Sequence, residues 1–339
     1  MNIEIPIMHC FNNSYVIPAS VAFYSMLEHS NKEIRYILYV LHTDITIENQ
    51  NGLHATISKF VNAKIVFINM NNKFSDVFDK LKNKAYFTKE MFYKLIASSI
   101  FPQYNKLVIS DVDVIYLGNF EEQYIEFDFN DDIYILGFKS PFKKGTWIES
   151  YRLHYKEYFN DEEISKLFNG VGAGFLILNL KKIREDEIED KFIKFLTTNT
   201  DRLIQPEQDI LNIICSQKIK YLKMNTVVCS YLYEFFIKKE DFLNIDNYTE
   251  QELRFILENP IQLHYAGKIK PWFSPGCIKS EYWYYYLLKT TFFYKHMNNL
   301  ENLINQQDDF SSIKLKTKIK LTLKHFLKYF LTKMISISI

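Results

Sequence analysis

The chain has 339 residues, of which 47% are hydrophobic and 24% charged, so it can form one large domain with additions or two domains. Residues 311–339 carry seven lysines and no acid, which leaves 34 basic against 40 acidic residues for the rest of the chain. This mildly acidic body argues against a nucleic-acid binder, whose positive surface should be part of its fold.

Cysteine usage and the N-terminus both indicate a cytoplasmic protein. Cys10, Cys215, Cys229 and Cys277 stand far apart without a C-x-x-C pair, which argues against a zinc site and a disulfide framework. The N-terminal stretch MNIEIPIMHC lacks a basic segment followed by a long apolar one. No run of 18 uncharged apolar residues occurs, so we expect neither a signal peptide nor a membrane-spanning segment.

The first 180 residues alternate short apolar strands with helical stretches. Strands are predicted at 3–9, 34–41, 63–69, 106–110, 132–138 and 174–180. Helices are predicted at about 19–30, 46–60 and 88–101. The near-continuous apolar run IRYILYVL is typical of a strand covered on both faces. Strand–helix alternation at this spacing predicts an α/β fold with a mostly parallel sheet.

The second half is richer in helices. Helices are predicted at 185–199, 206–217 and 280–294, a short strand at 218–223, and a strand plus loop at 261–276. The helix at 206 opens with proline and acidic residues, as helix starts do.

Two aspartates, Asp111 and Asp113, follow the predicted strand KLVIS within the segment SDVDV. Ligands of such sheets bind beyond the carboxyl ends of the strands. Residues i and i+2 of an extended chain point to the same side, so both carboxylates can meet on one hard cation, Mg²⁺ or Mn²⁺. A solvated turn is the simpler alternative. A phosphohydrolase of the haloacid dehalogenase type is another, but it needs Thr or Val where this chain has Ile115.

The chain resembles glycosyltransferase family 8, which includes bacterial lipopolysaccharide galactosyl- and glucosyltransferases and, more distantly, glycogenin. The resemblance covers about residues 3–275 and rests on four segments in the family's order: SDVDV, GAGFLILNLKK (172–182), PEQDILN (206–212) and HYAGKIKPW (264–272). It implies a GT-A type, Rossmann-like nucleotide-sugar-binding fold followed by C-terminal helices. The expected division is a catalytic domain at 1–275, a helical extension at 276–310 and a tail at 311–339.

The resemblance also implies a metal site. Its ligands would be Asp111, Asp113 and His264, and the mixed oxygen and imidazole set fits Mn²⁺ better than Mg²⁺. Lys270 would reach the leaving diphosphate as a point charge, and Gly267 would let the backbone approach phosphate oxygens. A core histidine and a surface lysine are the structural alternatives for His264 and Lys270.

The segment PEQDILN is expected at the reactive face of the sugar. There Glu207 and Gln208 would contact the sugar and act with Lys270 as the catalytic residues, whereas Asp209 is either structural or a remote nucleophile. Retention of configuration requires a carboxylate nucleophile or a same-face substitution in which the departing phosphate oxygen takes the acceptor's proton. Because the amide of Gln208 is a poor nucleophile, same-face substitution is favoured.

Further donor contacts follow by register with the family, and they are Cys10, Asn12, Tyr15, Lys94, Val112, Gly172 and Ala173. Asn12 and Tyr15 are candidates for hydrogen bonding to uracil and stacking on it. Lys94 stands where the family commonly has an arginine facing the donor, and Gly172 where many members have an asparagine that contacts the sugar. Asn169 could replace that asparagine, although a loop role is the simpler interpretation.

The tail combines an apolar stripe with a basic face. Apolar residues recur at helical spacing at Leu323, Phe326, Leu327, Phe330, Leu331 and Met334, and Lys320, Lys324 and Lys328 fall on another face. This pattern is typical of an interfacial helix, so we expect peripheral association with the anionic inner face of the cell membrane. Packing against the body and an oligomer contact are the alternatives.

These expectations describe a retaining, metal-dependent hexosyltransferase with a UDP-galactose or UDP-glucose donor. Its acceptor would be a cell-surface glycan such as a lipid-linked lipooligosaccharide. Three alternatives stay open from the sequence: a self- or protein-glucosylating enzyme like glycogenin, a sugar-nucleotide-binding protein without turnover, and a phosphohydrolase.

Overall fold

The computed structural model describes residues 3–81, 87–139, 146–238 and 248–305. The strands are β1 Glu4–Cys10, β2 Arg35–His42, β3 Ala63–Asn69, β4 Lys106–Ser110, β5 Val114–Tyr116, β6 Ile135–Lys139, β7 Val171–Asn179, β8 Ile219–Tyr221, β9 Val227–Cys229 and β10 Gln262–His264. The α-helices are α1 Val16–Glu28, α2 Ile47–Ile57, α3 Ser75–Asp79, α4 Ala97–Ile100, α5 Glu121–Glu126, α6 Thr146–Lys156, α7 Asp161–Phe168, α8 Leu180–Glu185, α9 Ile188–Asn199, α10 Pro206–Cys215, α11 Tyr231–Lys238, α12 Glu250–Glu258, α13 Ser280–Leu287 and α14 Phe293–Asn305. Short 3₁₀ helices occur at Asn13–Tyr15, Lys89–Ile96, Thr200–Arg202 and Ser216–Lys218.

Within these residues, seven strands form a central sheet in the order β3-β2-β1-β4-β7-β6-β8, and a small sheet has the order β5-β10-β9. In the central sheet β7 runs antiparallel to both of its neighbours, β4 and β6, and the other neighbouring strands are parallel. The predicted α/β fold with a mostly parallel sheet is therefore confirmed.

Helices cover both faces of the central sheet, as the near-continuous apolar strands predict. Along β1, Ile7 belongs to one core cluster and the next residue, Met8, to the other. Their partners on β4, Val108 and Ile109, alternate in the same way. Successive side chains of a strand point to opposite faces, so the strands need apolar residues at nearly every position.

Two predicted helices differ from the structure. The segment predicted as one helix at 88–101 is the 3₁₀ helix Lys89–Ile96 followed by α4, and it buries two charged side chains, Glu90 and Lys94. The segment predicted as one helix at 280–294 breaks between α13 and α14, where the Thr290 hydroxyl accepts a hydrogen bond from the backbone N–H of Phe292. Local side-chain bonds of this kind compete with the helix ladder.

The C-terminal helices pack on α1 and α2. Lys289 forms an ion pair with Glu28 at 2.8 Å, and the ring of Phe292 occupies the place where a Cβ on Gly52 would lie. None of the described helices is both long and apolar enough to cross a membrane. The predicted tail at 311–339 and the end of the predicted extension lie outside the described residues.

Candidate active site

The segment 111–113 joins β4 of the central sheet to β5 of the small sheet. Strand β10 pairs with β5 and places His264 opposite Val114, next to this junction. One ligand atom from each of Asp111, Asp113 and His264 lies within 4.8 Å of the others, and no second group of this kind occurs in the described part of the chain. The fold therefore brings together the three side chains that the resemblance names as metal ligands, from positions about 150 residues apart in sequence.

Two cationic side chains surround Asp113. Its Oδ1 lies 3.1 Å from Nε2 of His264, and its Oδ2 accepts a hydrogen bond from Nζ of Lys270 at 2.5 Å. Burial alone would raise the pKa of Asp113, but the charges of His264 and Lys270 hold it well below its usual range. Burial would likewise lower the pKa of His264, but the Asp113 carboxylate raises it to about 10. Asp113 is therefore ionised throughout the physiological pH range.

The cluster fits a divalent cation. Carboxylate oxygens suit Mg²⁺ and Mn²⁺, and the added imidazole favours Mn²⁺. Nδ1 of His264 is buried and forms no regular hydrogen bond among the described residues; besides Asp113, the weakly polar thiol of Cys229 acts on this imidazole, and such a nitrogen is costly without a ligand. Gly174 leaves open a space bordered by that nitrogen and by Oδ2 of Asp111, because a Cβ there would lie 3.1 Å from each atom. A cation held here by Asp111, Asp113 and His264 would replace the proton on the imidazole.

Filling this space tests the fit. The change Gly174→Ala would place a Cβ 2.7 Å from Cε1 of His264, so we expect Mn²⁺ affinity to fall by at least about 10-fold. Calorimetric titration with Mn²⁺ in the presence of UDP measures it. The control is Gly118→Ala, whose new Cβ would make ordinary contacts at 3.6 Å with Ile261. Equal Mn²⁺ affinity in both variants would contradict the assignment.

Lys94 links the group of Asp111, Asp113 and His264, called the metal cluster below, to the start of α10. Its Nζ donates to Oδ1 of Asp111 at 2.8 Å, to the carbonyl oxygen of Ala173 at 3.1 Å and to Oε1 of Glu207 at 3.1 Å. Burial would lower the pKa of Lys94, but the two carboxylates raise it, so the side chain stays charged at 4% exposure. An ammonium has three N–H donors, and all three have acceptors here. Contact of Lys94 with the donor phosphates stays a prediction.

In the first turn of α10, Gln208 and Asp209 have different hydrogen-bond partners. Oε1 of Gln208 accepts a hydrogen bond from the backbone of Ala173 at 3.0 Å, which fixes the amide beside the metal cluster. Asp209, 1% exposed, accepts from two backbone N–H groups at 2.8 and 2.9 Å and from the Tyr155 hydroxyl at 2.8 Å. Burial raises the pKa of Asp209 to about 7. Both of its oxygens are engaged, which favours the structural role over that of a remote nucleophile.

The residues expected to contact uracil lie at the end of β1. Tyr15 packs edge-on against Trp272, with ring centroids 5.8 Å apart, close to Lys270. The Asn12 side chain instead accepts from the backbone of Ser14 at 3.1 Å and so caps the following turn. Burial raises the pKa of the Cys10 thiol, which makes it a poor nucleophile.

For four other residues named as donor contacts, the structure shows the local surroundings, and contact with the donor stays a prediction. Val112 is buried in the core, and the backbone N–H and C=O of Ala173 are taken by Gln208 and Lys94. Gly267 has a φ of 86° with open space around the missing Cβ, so its conformation requires glycine. Asn169 donates to the carbonyl of Ser165 at 2.9 Å, which supports its loop role.

Glycines alternate at the start of β7 in the stretch GVGAG, residues 170–174. At each of them a neighbouring side chain takes the place of the missing Cβ, and these neighbours are Asn212, Phe138 and His264 in chain order. Sequence reasoning did not single out Phe138 or Gly174. The G-x-G-x-G spacing was the available signal. Residues two positions apart point to the same face of a strand, so glycines at these positions leave that face without side chains.

Solved structures share this fold. The chain superimposes on the galactosyltransferase LgtC, in complex with donor and acceptor sugar analogs, with a TM-score of 0.63 at 17% identity, covering 85% of this chain and 96% of LgtC. The bifunctional glycosyltransferase WbbM gives a TM-score of 0.67 at 17% identity over 88% of this chain, which spans 52% of WbbM. Both neighbours support the GT-A fold.

Sequence comparison identifies the family. The chain is 22% identical to General stress protein A of Bacillus subtilis over 82% of its own length and 92% of that protein. It is 24% identical to lipopolysaccharide 1,2-glucosyltransferase of Escherichia coli over 77% of its own length and 71% of that enzyme. The family model for glycosyl transferase family 8 matches residues 6–276. The chain therefore belongs to glycosyl transferase family 8.

Proposed function

We propose that the protein is a retaining hexosyltransferase that takes galactose or glucose from a UDP-sugar in the presence of Mn²⁺. The observation that carries the proposal is the cluster of Asp111, Asp113 and His264 at the junction of the two sheets, with Lys270 against it. Cleavage of the donor leaves negative charge on UDP. A divalent cation bound at this cluster would stabilise that charge, as metal ions do for leaving phosphates.

Side chains beside the metal cluster would bind the diphosphate and orient the sugar. Lys270 lies at the metal cluster as a charged donor that can bind the diphosphate, because an ammonium is a mobile point charge. Lys94 neutralises Glu207 and so holds that carboxylate next to the reacting sugar. The amide nitrogen of Gln208 can donate a hydrogen bond to a sugar hydroxyl, because the amide oxygen already accepts one from the backbone N–H of Ala173.

Same-face substitution agrees best with this arrangement. A double displacement requires a free carboxylate below the sugar. Glu207 is paired with buried Lys94 at 3.1 Å, and Asp209 is bonded at both oxygens. The oxygen of the departing phosphate would then take the acceptor's proton, and Glu207 and Gln208 would orient the sugar.

For the acceptor we propose a cell-surface glycan of the lipooligosaccharide type. The support is the similarity to an enzyme named lipopolysaccharide 1,2-glucosyltransferase. The basic, amphipathic pattern of residues 311–339 would bring the enzyme to the membrane that carries such a glycan.

The role of Gln208 can be tested separately from binding. In the variant Gln208→Ala we expect the affinity for UDP-sugar to change by less than about 3-fold and turnover to fall by about 100-fold, because the amide orients the sugar during transfer. Calorimetry and a coupled assay for released UDP give the two quantities. The control is Gln50→Ala. It removes an amide that donates to the backbone carbonyl of Ile45, far in sequence from Gln208. Unchanged turnover would remove Gln208 from the catalytic residues.

The proposal itself is tested by titrating the purified protein with UDP-galactose and UDP-glucose, with Mn²⁺ and with a chelator. Metal-dependent binding of one of them supports the transferase site and identifies the donor. Binding without hydrolysis or transfer would favour a sugar-nucleotide-binding protein, and labelling of the protein itself would favour a glycogenin-like enzyme. Absence of binding to both nucleotides with metal present would overturn the proposal.

A further inference from the structure

The ladder between β6 and β7 is irregular beside the metal cluster. Gly137 pairs with Leu176, whereas Lys139, two residues further, pairs with Val171. The four residues 172–175 of β7 therefore lie opposite a single residue of β6, Phe138. Such bulges are common beside active sites, where they change the direction in which the side chain of the irregular residue points. Here the side chain concerned is the aromatic ring of Phe138.

The ring lies on the face of β7 that borders the metal cluster. Gly172 and Gly174 are two residues apart, so both leave the same face of β7 without a side chain. A Cβ on Gly174 would lie 2.7 Å from Cε1 of His264, and a Cβ on Gly172 would lie 2.2 Å from Cζ of Phe138. Phe138 and His264 therefore meet β7 at positions two residues apart.

The same stretch of β7 contacts the proposed sugar-binding residues. Ala173, between the two glycines, donates its N–H to Gln208 at 3.0 Å and accepts from Lys94 at 3.1 Å. Phe138 is partly buried and packs at the edge of the core. The ring therefore lies between the core and the stretch of β7 that contacts Gln208 and Lys94. Any side chain at 172 would overlap it, including the asparagine expected from the family resemblance.

We infer that Phe138 limits the size of the sugar that the site accepts, because its ring occupies the place of a side chain at position 172, next to the stretch of β7 that contacts Gln208, and so reduces the room for an acetamido substituent. The site then selects a plain hexose over the corresponding N-acetylhexosamine. This inference rests on the proposed function, since it concerns the sugar of the same nucleotide donor. Aromatic side chains commonly line ligand sites, where they supply shape and a few polar groups fix orientation. A pocket that lacks room rejects the larger substrate sterically.

The test compares wild type with Phe138→Ala by calorimetry in Mn²⁺, using UDP, UDP-glucose, UDP-galactose and the two matching UDP-N-acetylhexosamines. We expect UDP affinity to change by less than about 3-fold and the preference for hexose over N-acetylhexosamine to fall by at least about 10-fold. Phe138→Leu keeps most of the apolar volume and should give a smaller fall. The control is Tyr294→Ala, which removes a 78% exposed ring from α14 and should leave the preference unchanged.

The outcomes separate this inference from the proposed function. If wild type binds UDP with Mn²⁺ and both Phe138 variants keep the wild-type preference, the role of Phe138 is overturned and the transferase site stands. If wild type binds neither UDP nor any UDP-sugar, the proposed function is overturned and this inference falls with it. If Phe138→Ala does not fold, Phe138→Leu decides by the same ratio.

Discussion

Replacing Asp113 with asparagine will abolish Mn²⁺-dependent binding of the UDP-sugar and lower transfer by more than about 100-fold. Loss of an outer partner of a metal ligand typically costs about 10–100-fold, so loss of a ligand should cost more. Asparagine keeps the shape of the side chain but removes the charge that both His264 and Lys270 face. Two neighbouring cations would then stand without their shared carboxylate, and a divalent cation would meet net positive charge.

Calorimetric titration with the UDP-sugar, with Mn²⁺ and with chelator, measures this effect, and urea unfolding shows whether the fold survives. The matched control is Asp131→Asn, which removes a 42% exposed carboxylate from a surface pair with Lys220 at 2.6 Å. Exposed pairs contribute about 0–1 kcal/mol, so this variant should behave as wild type. Metal-dependent binding by Asp113→Asn within about 3-fold of wild type would refute the metal assignment.

Two strands of the central sheet, one of them leading into the site, follow from local pattern. KLVIS at 106–110 and AKIVFIN at 63–69 were predicted with the bounds that the structure has. Apolar runs bounded by polar residues decide such strands, and the carboxyl end of β4 then places Asp111 where ligands of α/β sheets bind. The fold and the proximity of Asp111 to Asp113 were accessible from the sequence for this reason, whereas placing His264 with them required the family resemblance.

The parts that the sequence did not predict depend on contacts between distant residues. Phe138 meets Gly172 through an irregular strand ladder. Tyr155 reaches Asp209 from another helix at 2.8 Å. The burial of Lys94 in a 3₁₀ helix reflects its acceptors on other elements rather than the helical propensity of its own segment. Propensity and periodicity describe neighbours in sequence, and tertiary contacts override them where polar groups must be satisfied.

Lys94 also gives the largest expected effect on stability. In Lys94→Met we expect the free energy of unfolding to fall by about 3 kcal/mol, because removing one partner of a buried ion pair leaves the other charge uncompensated. The value lies at the low end of the usual range, since Asp111 is 31% exposed and solvent compensates it in part. Glu207, at 11% side-chain exposure, has much less access to water. Urea unfolding followed by circular dichroism measures the difference.

A second substitution separates the lost charge from the lost packing. In Lys94→Met combined with Glu207→Gln, a neutral amide replaces the carboxylate that the first substitution leaves uncompensated. The double variant should therefore be more stable than Lys94→Met alone. Both variants should lack transfer, because the charge that holds Glu207 and Asp111 is gone.

The control Lys220→Met removes a lysine from an exposed pair and should change stability by less than about 1 kcal/mol. A double variant no more stable than Lys94→Met would show that the ion pair with Glu207 is not what holds α10 against β7. The chain would then depend on the Gln208–Ala173 bond and on the two hydrogen bonds between Asn212 and Val171 for that packing.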